Sequence, residues 1–215
     1  MIVSGDGRHL VTADANCLYL YRRIVCSQLR NRYFLLRHGQ SEANELGRIA
    51  SSPDTAVTQF GLTQTGRGQI AASIRQHRSQ LKDVDQVFTS DFRRTRQTAE
   101  IASALLNATV NESIPLRERG FGRLDGQSDQ KYQLVWSADA EDATHRQWGV
   151  ESVATVARRM CGFVWKLDQS SDGRTYLIVS HGDPLQILLT SALGRDLRQH
   201  RQIEPLSTGE LRPLC

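Results

Sequence analysis

Short apolar runs alternate with longer amphipathic stretches along most of the chain. Tyr33–Leu36 is apolar throughout and ends at Arg37-His38-Gly39, which predicts a buried strand running into a loop. Thr63 is placed to cap a helix reaching about Leu81, with Ile70, Ile74 and Leu81 along one apolar face. Val84–Thr89 reads as a second strand, followed by Ser90-Asp91 and a helix to about Leu106. Val110–Leu116 reads as a strand leading to the glycine-punctuated loop Glu118–Gly126, and Gly149–Asp168 as an amphipathic helix. Tyr176–Val179 is a strand ending at Ser180-His181-Gly182, after which Asp183-Pro184 opens a helix, Asp as cap and Pro in the first turn. Strands alternating with helices predict an α/β fold of three layers, α/β/α, around a central, mostly parallel sheet. Such sheets bind ligands outside the carboxyl ends of their strands.

Residues 1–31 stand apart from this rhythm as an N-terminal extension. There the strand-like runs His9–Thr12 and Cys17–Tyr21 flank the turn-forming stretch Ala13–Asn16, which predicts a hairpin. Residues 32–215 then form one domain carrying an insert at 123–148. A length of 215 residues suits that plan, and 39% hydrophobic with 23% charged residues excludes disorder by charge excess. No apolar stretch is long enough for a bilayer, and the first residues lack a basic start followed by an apolar run, so no membrane association is expected. Cys17, Cys26, Cys161 and Cys215 lie far apart with no Cys-x-x-Cys pair, and read as unpaired thiols of a reducing compartment, the cytoplasm. The net charge is +4, and 24 of the 27 basic residues are Arg, the side chain suited to bidentate capture of phosphate or carboxylate. These residues are scattered among acids rather than clustered, so nucleic acid is not expected as a partner.

Two strand ends carry the same signature, Arg37-His38-Gly39 and Ser180-His181-Gly182. If these strands are neighbours, two imidazoles face each other where the sheet opens to solvent. Either His alone is more often a satisfied loop residue, and the pair also suits a metal, with Glu42 the one acid at short spacing. The arginines at the other strand ends favour a phosphate site. Thr89-Ser90-Asp91-Phe92-Arg93-Arg94-Thr95-Arg96 opens a helix, where free backbone N–H groups already attract anions. Arg93 and Arg96 fit a solvated face as well as a site, and Glu118, between Arg117 and Arg119, fits a surface ion pair as well as an acid catalyst.

Taken together, Arg37-His38-Gly39, Arg94, Glu118 and His181-Gly182 resemble the histidine phosphatase superfamily, also called phosphoglycerate mutase-like. The resemblance runs from about Arg32 to Leu214, through six blocks in order: Leu36 to Asn44 (LRHGQSEAN), Gly61 to Gly66 (GLTQTG), Thr89 to Ala99 (TSDFRRTRQTA), Arg117 to Gly122 (RERGFG), Gly149 to Ser152 (GVES) and Val179 to Gly182 (VSHG). It implies that His38 is a nucleophile that becomes a phosphohistidine, and that Arg37, Arg94 and His181 hold the phosphoryl oxygens. Asn44 would add a neutral hydrogen bond. Glu118 would protonate the leaving oxygen and then deprotonate the attacking water. That requires a raised pKa although Arg117 and Arg119 pull the other way. No metal or other cofactor is called for.

The resemblance covers hydrolases and mutases. Glycolytic mutases carry Arg-Arg-Ser after the Trp of the insert, whereas Trp136-Ser137-Ala138-Asp139 stands here, and they have His-Tyr before the Gly where this chain has Arg119-Gly120. Hydrolysis of a small phosphorylated metabolite is therefore the expected activity, with a phosphoglycerate mutase-type transfer and a non-catalytic phosphate-recognising module as alternatives. Arg48, Arg119, Arg123 and Lys131 are candidates for a second phosphate or carboxylate, although a long charged side chain taken singly is more often a surface residue. The insert's Tyr132, Trp136 and Trp148 suit a lid or an interface, and a homo-oligomer is compatible with the sequence.

Overall fold

Alternation of apolar side chains on two neighbouring strands generates the architecture. The structure is a computed structural model that describes Ile24 and residues 26–215, and the backbone alone of residues 2–3, 9–14 and 17–22. β1 (Ile2–Val3), β2 (His9–Asp14) and β3 (Cys17–Arg22) form a small antiparallel sheet. Here His9 pairs with Arg22 and Asp14 with Cys17, in the place of the expected hairpin, whose connecting residues 15–16 lie outside the described residues. The central sheet holds β4 (Arg32–Arg37), β5 (Gln86–Thr89), β6 (Thr109–Glu112), β7 (Thr175–Ser180) and β8 (Leu211–Pro213), in the order β6-β5-β7-β4-β8. The first four are parallel and β8 is antiparallel to β4. The helices are α1 (Glu42–Glu45), α2 (Pro53–Ala56), α3 (Gln64–Gln76), α4 (Arg93–Leu106), α5 (Tyr132–Glu141), α6 (Val153–Gln169) and α7 (Gly182–Ala192).

Tyr33 and Leu35 of β4, with Tyr176 and Ile178 of β7, enter a core shared with α6 and α7. Phe34, Leu36, Leu177 and Val179 point the other way, into a core shared with α3 and α4. Every residue of β7 is buried, as a parallel strand covered on both faces requires. This is the expected three-layer α/β/α fold, with the one antiparallel strand at its edge. A third core, Ile49, Phe121, Leu124, Val135 and Val150, forms beneath the insert.

Several expected boundaries move. α3 ends at Gln76, and the turn after His77 still delivers Leu81 to the core that holds Ile70 and Ile74. The strand expected over Val110–Leu116 stops at Glu112, because Pro115 lies in a 3₁₀ turn, Ile114–Leu116, and has no N–H for a ladder. α6 starts at Val153, capped by Ser152 Oγ on Thr155 N at 3.2 Å, rather than at Gly149. His181, with extended backbone, and not Asp183 occupies the cap position of α7, because the helix already begins at Gly182; the Asp183 carboxylate is engaged by Trp136 and Arg119. α5 and β8 have no counterpart in the sequence reading.

The reading of all four cysteines as unpaired thiols is also corrected: Cys26 and Cys215 form a disulfide. β8 pairs with β4 in the register Phe34 to Pro213, and this brings the last residue beside the 3₁₀ turn Cys26–Gln28 that precedes β4. Disulfides persist in oxidising compartments, so the cytoplasmic expectation loses the support it took from free thiols. Among the described residues, no helix is long and apolar enough to cross a membrane.

Candidate active site

β4 and β7 are neighbours, with Arg37 opposite Ser180 and the His38 N–H donating to Ser180 O at 3.1 Å. The two imidazoles therefore meet, ring centres 5.2 Å apart and edge to face. His38 is 2% exposed, and its Nδ1 lies 2.8 Å from Gly39 O. A carbonyl only accepts, so the proton sits on Nδ1 and Nε2 carries an unprotonated lone pair. Arg94 Nε donates to that lone pair at 3.2 Å. Burial first, then the charges of Arg94 and Arg37, hold the His38 pKa well below the usual imidazole value. The loop keeps this shape because Gly39 packs on Gly66 of α3. A Cβ on Gly39 would stand 2.4 Å from Gly66 O, and one on Gly66 would stand 2.0 Å from Gln40 O.

His38, Arg37, Asn44, Arg94 and Glu118 line one cavity of about 250 Å³, with Tyr132, Trp136, Asp183, Gln186 and Arg201 also on its walls. Arg37 is anchored by Nη1 to Leu206 O at 2.7 Å, and Arg94 by Nη2 to Ala50 O at 2.9 Å. Each keeps a buried nitrogen without a protein partner, Arg37 Nε and Arg94 Nη1. His181 is fully buried, held by Ser90 Oγ 3.0 Å from Nε2, and its Nδ1 is likewise unpartnered. Its pKa lies well below the usual value through burial and then the Arg94 charge. Asn44 closes a capping box with Ser41, accepting Ser41 N at 3.1 Å through Oδ1, so its amide nitrogen is the end left for a ligand. The site is thus a set of donors around a neutral imidazole.

Glu118 faces His181, with Oε2 3.9 Å from Nδ1. Burial, followed by the negative charge of Asp183, raises its pKa to about 7, against the opposing pull of Arg94 and Arg37. The guanidinium groups of the flanking arginines are engaged elsewhere, and of these two residues only the Arg119 backbone N–H pulls the Glu118 pKa down. Arg117 grips Asp91 through Nε at 2.8 Å and Nη2 at 2.5 Å. Arg119, 0% exposed, forks onto Asp139 at 2.7 and 2.8 Å and approaches Asp183 at 3.5 Å. Its backbone N–H alone serves Glu118, donating to Oε1 at 2.8 Å.

That buried pair ties the insert to the site. Asp139 of α5 also accepts from His145 Nε2 at 2.7 Å. Trp136, one turn earlier, donates Nε1 to Asp183 at 3.2 Å and stacks on Tyr132 with ring centres 5.3 Å apart. Tyr132 and Trp136 of the insert thus form part of the cavity wall.

Of the remaining candidates, Arg48 lines the cavity, whereas Arg123 and Lys131 are exposed outside its lining. Arg119 is neither a surface residue nor a cavity cation. Arg93 and Arg96 bond the backbone oxygens of Thr58 and Val57 at 3.4 and 2.9 Å, away from the cavity. Glu42 accepts from Gly61 N at 2.9 Å. Sequence reasoning missed Ser90, Asp183 and Arg201. Ser90 stands in the Thr89-to-Ala99 block and Asp183 directly after His181-Gly182, so both were within view, but no local pattern marks Arg201.

Residues 33–212 match the family model for the histidine phosphatase superfamily (branch 1). A protein named bifunctional from Mycobacterium tuberculosis is 29% identical over 83% of this chain, which spans only half the length of that relative. A probable phosphoglycerate mutase of Yersinia pestis is 27% identical, covering 79% of this chain and 78% of the relative. Among solved structures, a mycobacterial glucosyl-3-phosphoglycerate phosphatase superposes with a TM-score of 0.70 at 23% identity, over 85% of this chain and 88% of its own.

Proposed function

The chain belongs to the histidine phosphatase superfamily, and on that premise we propose that it hydrolyses a small phosphomonoester through a phosphohistidine on His38. The observation that carries the reading is the Nδ1 contact to Gly39 O, which leaves Nε2 as an unprotonated lone pair amid arginine donors. In the first step Nε2 bonds to phosphorus while the ester P–O bond breaks, and Glu118 gives its proton to the departing oxygen. Arg37, Arg94, His181 and Asn44 hold the phosphoryl oxygens, and positioning with charge stabilisation supplies most of the rate. In the second step water attacks phosphorus, Glu118 takes its proton, and the N–P bond breaks to release phosphate.

The relatives carry both phosphatase and mutase names. Hydrolysis is favoured by Asp139, an acid locked to Arg119, in the stretch where glycolytic mutases carry arginines. The test is phosphate release from a panel of phosphomonoesters, 3-phosphoglycerate included, with H38A beside it. Release that H38A abolishes is the expected result. Isomerisation of 3-phosphoglycerate without release assigns a mutase, and silence on the whole panel points to a narrow substrate outside it or to a binding module.

A further inference from the structure

One more cation reaches the cavity from the far end of the chain. Arg201 lies in the 3₁₀ stretch Leu197–Gln202, and its guanidinium rests 3.7 Å over the Trp136 ring centre. Its Nη1 bonds Gln186 Oε1 and lies 3.5 Å from Asp183 Oδ1. Asp183 is itself shared with Trp136 and Arg119, so it does not neutralise Arg201 alone. Nε and Nη2 of Arg201 make no hydrogen bond within the described residues. Burial lowers the Arg201 pKa, Asp183 raises it, and Arg37 lowers it again, so the two arginines sense each other across one cavity. A guanidinium held by stacking and by an amide has already lost the rotamer freedom that binding would otherwise freeze.

We infer that Arg201, clamped on Trp136, anchors a second anionic group of the substrate, so that the site selects phosphomonoesters bearing a carboxylate. This rests on the phosphatase reading. The phosphoryl group is served by the buried, unpartnered nitrogens of Arg37 and Arg94, which leaves Arg201 for a different group. One free edge of a single fork, beside a partly shared Asp, matches the single charge of a carboxylate better than a second phosphate.

The test compares 3-phosphoglycerate with glycerol 3-phosphate, the same ester with a hydroxymethyl in place of the carboxylate. Calorimetric titration into H38A protein measures binding without turnover. The acid is expected to bind about 10- to 100-fold more tightly, the range for a charge-assisted hydrogen bond. In H38A/R201Q protein the ratio is expected to fall below about threefold, and R201K, which keeps the charge but not the fork, to lie between. Equal binding of the two esters by H38A protein overturns the inference. So does a ratio that survives R201Q, or an equal loss on both esters, which marks a structural role. A ratio that behaves as expected in a protein whose native form releases no phosphate sinks the phosphatase reading and leaves the anchor standing.

Discussion

At the scale of single residues, the chemistry turns on two groups moved in opposite directions by one buried environment. The imidazole of His38 is kept neutral and the carboxyl of Glu118 is kept protonated, since burial disfavours the charged form of each. Step one needs both of those forms. For an ester with a poor leaving group, kcat/KM should therefore hold in mild acid and fall as pH rises through about 7, where Glu118 loses its proton. The acidic limb, set by protonation of His38, should lie below the usual imidazole range. Glu118→Gln should remove the alkaline limb and slow alkyl phosphates by about 100-fold or more, with far smaller losses on aryl esters that need little protonation. A pH–rate profile on both ester classes checks this, and equal losses on the two would contradict the acid role. His38, Arg37, Arg94, His181 and Glu118 could be singled out in the sequence, because their strand-end positions and the resemblance of their blocks to the family both mark them. The raised pKa of Glu118 was expected from its role, but how it withstands Arg117 and Arg119 was not legible, because whether they face it depends on Asp91 and Asp139, and only the fold places those acids.

At the scale of elements, the loop that carries His38 is shaped by a helix outside the cavity lining, α3. Gly66 of α3 leaves room for the His38-Gly39-Gln40 backbone. Alanine is the better helix former by about 1 kcal/mol, yet Gly66→Ala should cut kcat by more than about tenfold, since a misplaced nucleophile costs more than a helix gains. Steady-state kinetics beside far-ultraviolet dichroism would separate the two effects. The Arg119–Asp139 pair holds α5 in the same way. Asp139→Ala strands a buried guanidinium and should cost about 3–5 kcal/mol. In a chain of this size that is roughly 6–20 °C in Tm. Replacing both partners, R119M with D139L, should cost less than either single change. Thermal unfolding of the three variants decides it, and an additive double mutant would show that the pair is not coupled. The alternating strands and helices were readable from periodicity. α5 was not, because its polar positions are bought by contacts with distant residues, Arg119 and Asp183, that no local pattern announces.

At the scale of the whole molecule, β8 closes the sheet and Cys26–Cys215 joins the two ends of the described domain across 189 residues. A loop this long makes the bond worth about 2–5 kcal/mol through the unfolded chain. Reductant, or Cys215→Ser, should lower the unfolding free energy by that amount and the denaturant midpoint with it, and unfolding curves with and without reductant measure it; coincident curves would contradict the clasp. The cysteine spacing hid this pairing because it depends on the register of β8 on β4. The account stands most directly on a covalent intermediate at His38. Rapid quenching during turnover, followed by peptide mass spectrometry under alkaline conditions, should find a phosphoryl group on the peptide that carries His38 and none in H38A. Turnover without that label, or a label on His181, would contradict it.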